Sequence, residues 1–388
     1  MMSPITGDTR AFDFGSPVRL HFGEGLIDRL AEFCPDAQRI LVVSGRNYAR
    51  RSGLLDRVRR AFDGRTVEFF SEVESNPSIE TVERGAAVAA TARPDLIVGL
   101  GGGSALDAAK CIAVLASNGG DFRSLLGRQE YVNKPIRMMA VPTTCGTGSE
   151  ANRYAIITDL KDDDKVTFAS QFTYPAIGIL DPSVLKHMPA TLLVETACDA
   201  FTHAFEGYTS RWSQPFSDML ALEAMSLIIR HLPRAIENDP LAKSSLLYAS
   251  SLAGIVIDHT GTTVLHAMGY YLTLRHGVSH GKANALFLPD LFLYLERELP
   301  DKLYDVYALF PEGMRSPEGV RQFLHGMGVV AWPSTCGKGS EDAEKFADYV
   351  LCRKNTVRTA GTVTKDWLCN AYCRTSSGLE NGYSHCDS

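Results

Sequence analysis

The chain has 388 residues, 45% of them hydrophobic and 22% charged, with a net charge of −6. That length predicts two or three domains around a substantial core, and the acidic balance excludes a general nucleic-acid-binding surface. The opening MMSPITGDTRAFDFG lacks a basic start followed by an apolar core, no uncharged apolar stretch is long enough to span a bilayer, and the nine cysteines form no secreted-domain framework. The expectation is a cytoplasmic chain with reduced thiols and no membrane partner.

Up to residue 185 the apolar runs RILVVS, TVEFFS, DLIVGL, RMMAVP and AIGIL alternate with helical stretches. This alternation predicts an α/β domain over residues 1–185 with a mostly parallel sheet. The first run leads into Ser44, Gly45 and Arg46, with Arg50 and Arg51 beyond. Dinucleotide folds that take NAD commonly place an acid after the second strand, whereas a 2′-phosphate needs a small or basic residue there. The arginines have an alternative reading as solvated surface charges.

DLIVGL, GGGS and ALDAAKCIAVLASN read as buried strand, tight loop and helix. Ser104 and Asp107 have the spacing of a capping box, with aspartate in the usual glutamate position. Gly101, Gly102 and Gly103 let the backbone approach a pyrophosphate, and amides at a helix start favour its charge, with Ser104, Asp107 and Lys110 nearby. A purely structural turn is the alternative, since the pattern is not G-x-G-x-x-G. Next, VPTTCGTGSE offers the hydroxyls of Thr143, Thr144, Thr147 and Ser149 to a cofactor, or to a plain turn. Cys145 has no local base to make it a nucleophile. Arg153 suits either an anionic substrate tail or a structural ion pair. Lys165, in DDDKVTF, reads as part of an exposed charged turn.

From residue 186 to 388 longer helical segments predict an all-α domain, with Asp181 and Pro182 at the junction. LLVETACDAFTHAFEGYTS contains no proline, so it reads as a helix that sets Asp199 and His203 one turn apart on one face. An isolated D-x-x-x-H is more often a surface pair, and His266 and His280 flank an apolar stretch where a lone histidine is more often a core residue. His259 and His276 compete with them on spacing. Three imidazoles and a carboxylate suit Fe2+ or Zn2+ equally. Near the end, Cys369, Cys373, His385 and Cys386 match no strong zinc spacing, and the first two are expected on the last helix.

Taken together, FGEG, GGGSALDAAK, VPTTCGTGSE, AIITD, ILDPS, DAFTHAFEGY and HAMGY with the later SHG resemble the motifs of the iron-containing, or group III, alcohol dehydrogenase family, a match that fades after residue 300. The resemblance implies a dehydroquinate synthase-like architecture, with metal ligands Asp199, His203, His266 and His280 and with His259 and His276 outside the coordination sphere. It implies that GGGS binds pyrophosphate, that the VPTTCGTGSE hydroxyls line the cofactor cleft, and that Lys165 corresponds to a family lysine beside it. NAD-preferring members carry aspartate at the position of Gly45, so NADP(H) is favoured over NAD(H). The implied reaction is hydride transfer between nicotinamide and a small alcohol or aldehyde on Fe2+, with Zn2+ as the other candidate, in a homodimer or larger homo-oligomer. Where many members have a histidine four residues after the third ligand, this chain has Tyr270. Tyr270 is then the candidate to orient substrate, with His276, water or the ribose carrying the proton. A glycerol dehydrogenase, a dehydroquinate synthase-like lyase and an inactive nucleotide sensor share the same architecture and are the alternatives.

Overall fold

The structure is a computed structural model that describes residues 11–126, 133–329, 332, 336–337 and 339–377. Its first half is built on a six-stranded sheet of β1 (Arg19–Phe22), β2 (Arg39–Gly45), β3 (Thr66–Val73), β4 (Leu96–Gly101), β5 (Met138–Pro142) and β8 (Ile177–Leu180), in the order β1-β8-β5-β4-β2-β3 with every pairing parallel. The five apolar runs read from sequence are β2, β3, β4, β5 and β8; the central ones show no polar side because a parallel strand covered on both faces has none, whereas the short, half-exposed edge strand β1 is not among them. All six residues of β4 are buried. Val42, Val98 and Met139 lie side by side in register across three strands.

Alternate residues of each strand serve two cores. Leu41, Val43, Ile97 and Met138 point to one face, which is covered by α2 (Ile79–Ala92) and α3 (Gly103–Asn118). Ile40, Val42, Val98 and Met139 point to the other, beside α1 (Leu54–Ala61). That second core continues without a break into α4 (Ala190–Thr209), α5 (Pro215–Ile236), α6 (Pro240–Thr260), α7 (Val264–His276) and α8 (His280–Glu298), and on to Tyr372. The last sheet strand ends at Leu180 and α4 starts at Ala190, and the hydrophobic core does not divide between them. Helix α6 is long and apolar enough to cross a bilayer, yet 67% of its most apolar window is buried within this core.

Two features position the site. The chain passes from β2 to β3 on one side and then to β4 on the other, so the ends of β2 and β4 diverge at a topological switch point where α/β sheets bind ligands. Separately, β6 (Ala155–Asp159) and β7 (Asp164–Phe168) form an antiparallel hairpin that the strand count from sequence did not include. Cys369 and Cys373 lie on the last helix, α12 (Lys365–Ser377), when helices of two turns or more are counted, whereas His385 and Cys386 lie outside the described residues.

Candidate active site

A cleft of about 1080 Å3 runs from the switch point of the sheet to the helices of the second half. At the switch-point end it is lined by Gly45, Arg46, Glu74, Gly101, Gly102, Gly103, Ser104, Thr143, Thr144 and Thr147. The glycine loop and the threonine loop pack against each other here. A Cβ on Gly103 would sit 2.5 Å from Thr147 Cγ2, so glycine is needed for this contact as well as for any phosphate above it. Gly102 is the N-cap of α3 and brings no side chain over the first amides, and Gly102, Gly103 and Ser104 line the cleft.

The capping box expected of Ser104 and Asp107 does not form. Ser104 Oγ accepts from Asn76 N at 3.2 Å. Asp107 is buried and works at longer range, accepting from Ser149 Oγ at 2.6 Å and from Ile156 N at 2.9 Å, so it ties α3 to the second loop and to β6. Lys110 completes this tie by donating to Ser149 Oγ and Tyr154 O, both at 2.7 Å. Burial lowers the Lys110 ammonium to about 8 against the opposing pull of Asp107. Lys110 does not line the cleft, and Asp107 and Ser149 reach its wall with their strongest bonds turned inward. Arg153 takes its structural reading, bonding Asp258 O at 2.8 Å and Tyr174 Oη at 3.0 Å. Cys145 is fully buried, and burial pushes its thiol far up.

Lys165 departs from the exposed turn read in its sequence. It sits on β7, which turns its side chain into the cleft, where Nζ donates to Asn76 Oδ1 at 2.9 Å. Burial lowers its ammonium to about 8, although Asp199 and Asp107 pull the other way.

At the far end Asp199 and His203 of α4 meet His266 of α7 and His280, the first residue of α8. Asp199 Oδ1 lies 3.9, 3.7 and 3.6 Å from Nε2 of His203, His266 and His280. The first three of these four residues are at most 5% exposed. Buried imidazoles and a buried carboxylate otherwise cost several kcal/mol unless paired or metal-bound, on the order of the penalties for desolvated polar groups. Convergence is also shown by Asn284 of α8, whose Nδ2 stands 3.2 Å from Asp199 Oδ1 and 3.3 Å from Nε2 of both His266 and His280. Three lone pairs, of Asp199, His266 and His280, therefore aim at one small region, with ligand atoms within 4.8 Å of one another, while His203 stands at its edge, 3.9 Å from Asp199; the mixed nitrogen and oxygen donor set fits a ferrous or zinc ion. Burial raises the Asp199 carboxyl, but the three imidazoles outweigh it and hold the group far below the usual range. Burial also lowers His203 and His280. His266 goes the other way, to about 9, because Glu206 and Asp199 overcome its burial.

Tyr270 lines the cleft beside this group, its ring stacked on His280 with centroids 5.1 Å apart. Burial, reinforced by Asp199 and Glu206, pushes its phenol well above 10. His276 does not line the cleft; it lies at the opposite end of α7, with its ring tilted against Tyr271 at 5.8 Å. His259 stacks on Phe14, away from the four convergent groups. Sequence reasoning missed Glu206 and Asn284, although each carried a signal: Glu206 follows His203 by three residues and Asn284 follows His280 by four, so each lies on its helix's ligand face.

Comparison with known proteins agrees with this layout. The family described as iron-containing alcohol dehydrogenase matches residues 17–182, and the C-terminal part of the Fe-containing alcohol dehydrogenase family matches residues 193–372. Alcohol dehydrogenase 4 of Saccharomyces cerevisiae (strain YJM789) is 30% identical over 363 residues, covering 90% of this chain and 93% of its own. The NADPH-dependent butanol dehydrogenase of Clostridium saccharobutylicum is 31% identical over 282 residues, 71% of this chain and 72% of its own. A crystal structure of an iron-containing alcohol dehydrogenase from Thermotoga maritima superposes with a TM-score of 0.85 at 36% identity, covering 95% of this chain and 100% of that one.

Proposed function

The chain belongs to the iron-containing alcohol dehydrogenase family, and from that premise we propose that it is an NADP(H)-linked oxidoreductase that exchanges hydride with a small alcohol or aldehyde where Asp199, His203, His266 and His280 converge. The observation that carries the reading is one continuous cleft with a glycine-rich helix start at one end and this donor set at the other. The four groups would hold a divalent metal, iron by family, and such an ion supplies Lewis-acid polarisation of the substrate oxygen. The chain's own residues do the rest. The α3 start and the threonine loop seat the cofactor phosphates, the wall of Tyr270 and Lys165 confines the substrate, and together they fix the distance between nicotinamide and reacting carbon.

The preference for NADP(H) rests on the end of β2. Gly45 brings no acid to the ribose, and Arg46 and Arg51 line the same stretch of cleft. The acid nearby, Glu74, is engaged by Ser78 and Thr81 at 2.9 Å and stands 3.8 Å from Arg46, which lessens its repulsion of a phosphate. The same reading expects a cytoplasmic homo-oligomer.

The test is loss of nicotinamide absorbance with NADPH and, separately, NADH, using ferrous-loaded protein and a panel of short aldehydes. Faster NADPH oxidation supports the assignment. Faster NADH oxidation keeps the reaction and overturns the cofactor preference, and no oxidation of either by verified metal-loaded protein overturns the oxidoreductase reading in favour of the lyase or the sensor.

A further inference from the structure

Glu206 is completely buried on α4, and among the described residues it bonds to the start of α7 and the ring of His266. One oxygen, Oε1, accepts from Thr263 N at 2.8 Å, Thr263 Oγ1 at 2.6 Å and His266 N at 3.3 Å. The other, Oε2, makes a short hydrogen bond with His266 Nδ1. Thr263 is the N-cap of α7 and caps no amide with its own side chain, so the carboxylate of a neighbouring helix does that work, where the helix dipole favours negative charge.

Resting on the reading of the four convergent residues as a metal site, we propose that Glu206 is a positioning residue that fixes the tautomer and ring orientation of His266 and thereby tunes metal affinity. An ionised carboxylate only accepts, so its partner nitrogen Nδ1 must carry the proton. In the neutral ring Nε2 is then left with its lone pair at the convergence point, 3.7 Å from Asp199 Oδ1, free for a metal ion. A carboxylate behind a ligating imidazole raises its basicity as well as orienting it. His266 is singled out for this treatment, since His280 Nδ1 is buried with no hydrogen-bond partner among the described residues. The same carboxylate, by anchoring the first turn of α7, fixes the backbone that carries the ligand.

Glu206→Gln separates the two roles. The amide keeps the volume and an oxygen for the α7 amides, but its NH2 faces Nδ1 as a donor and drives the His266 proton to Nε2, where it blocks ligation. The measurement is Co2+ affinity of the full-length metal-free protein by chelator competition, read from the cobalt absorption band, alongside the thermal melt of the metal-free protein. The expectation is Co2+ binding weakened by about 10- to 100-fold with a melt close to wild type. Affinity within about twofold of wild type, on this scale of second-sphere effects, overturns the proposal. A wild-type protein that takes up no Co2+ overturns the metal reading itself, a result distinct from equal uptake by both proteins. If the variant fails to fold, 15N-histidine spectra of the wild-type metal-free protein, recorded at a pH high enough that the His266 ring is neutral, decide: a proton on Nδ1 is expected, and the Nε2–H tautomer refutes the inference.

Discussion

The ammonium of Lys165 stands 5.4 Å from the centre of the Tyr270 ring, so the β6–β7 hairpin reaches across the cleft to α7. The pair gains from the cation over the ring face while Lys165 is charged. With its pKa lowered to about 8, Lys165 is an ammonium below that pH and a neutral amine above it. A group that must be protonated to stabilise or protonate the product oxygen gives a rate that is level at low pH and falls as pH rises through its pKa. For aldehyde reduction, kcat/KM should therefore decline as pH rises, with the limb at or below about pH 8, because a divalent ion on Asp199 cancels the pull that holds the ammonium up. Lys165→Met should remove that limb and lower the plateau by about 10²-fold. Tyr270→Phe should leave the limb in place, because the phenol stays protonated across this range. Persistence of the limb in Lys165→Met, over a profile from pH 6 to 10, would assign it to another group.

Gly148 and Gly254 meet backbone to backbone, fixing the threonine loop against α6. A Cβ on Gly254 would fall 2.4 Å from Gly148 O and 2.7 Å from Gly148 Cα, and neither atom can swing away as a side chain does. Gly254→Ala should destabilise the fold by about 1–3 kcal/mol through overpacking. The displaced loop carries Thr147 and Ser149, so NADP(H) affinity should fall with it. A thermal melt and a cofactor fluorescence titration check both, and a variant with wild-type values for each removes the claim that this contact sets the cleft wall.

Gly45 offers the opposite case, a glycine with room. A Cβ there would meet Val73 O at 3.7 Å, an ordinary contact, and the backbone φ is not positive. Aspartate fits without strain and would bring a carboxylate to the ribose edge, repelling a 2′-phosphate and accepting from ribose hydroxyls. Gly45→Asp should lower kcat/KM with NADPH by at least about tenfold, which is about 1.4 kcal/mol of discrimination, and leave the NADH value equal or better. An unchanged NADPH/NADH ratio would show that the ribose binds elsewhere.

Legibility followed the range of the interactions. Strand β4 and the glycine loop were readable because an all-apolar run followed by three glycines expresses its fate locally. The capping box failed because Asp107, correctly spaced for it, is taken by Ser149, 42 residues away, and by the amide of Ile156. Lys165 was misread because DDDKVTF is charged like a surface turn, and only the pairing of β7 with β6 shows that one face of that strand looks into the cleft. Glu206 and Asn284 carried the helical spacing of their neighbouring ligands, but the partner of Glu206 lies 60 residues further on, beyond any local pattern.

The two ends of the cleft should also separate chemically. Asp199 is the group shared by all three imidazoles, lying within 3.9 Å of each, so its negative charge offsets half of a divalent ion's charge. Asp199→Asn removes that charge while nearly preserving volume, leaving three neutral donors in a buried site where unbalanced charge is most costly. Metal content after dialysis should fall to near zero and turnover with it, yet the NADPH dissociation constant should stay within about threefold of wild type, since the proposed seat of the cofactor phosphates is the amides and dipole at the α3 start. Chelator treatment of the wild type should reproduce the same split. His276→Gln serves as the control, because that side chain packs on Tyr271 outside the cleft and should change neither metal content nor rate. Loss of NADPH binding together with the metal would mean that the nucleotide is held through the ion, and that the glycine loop is only the structural turn its sequence also permits.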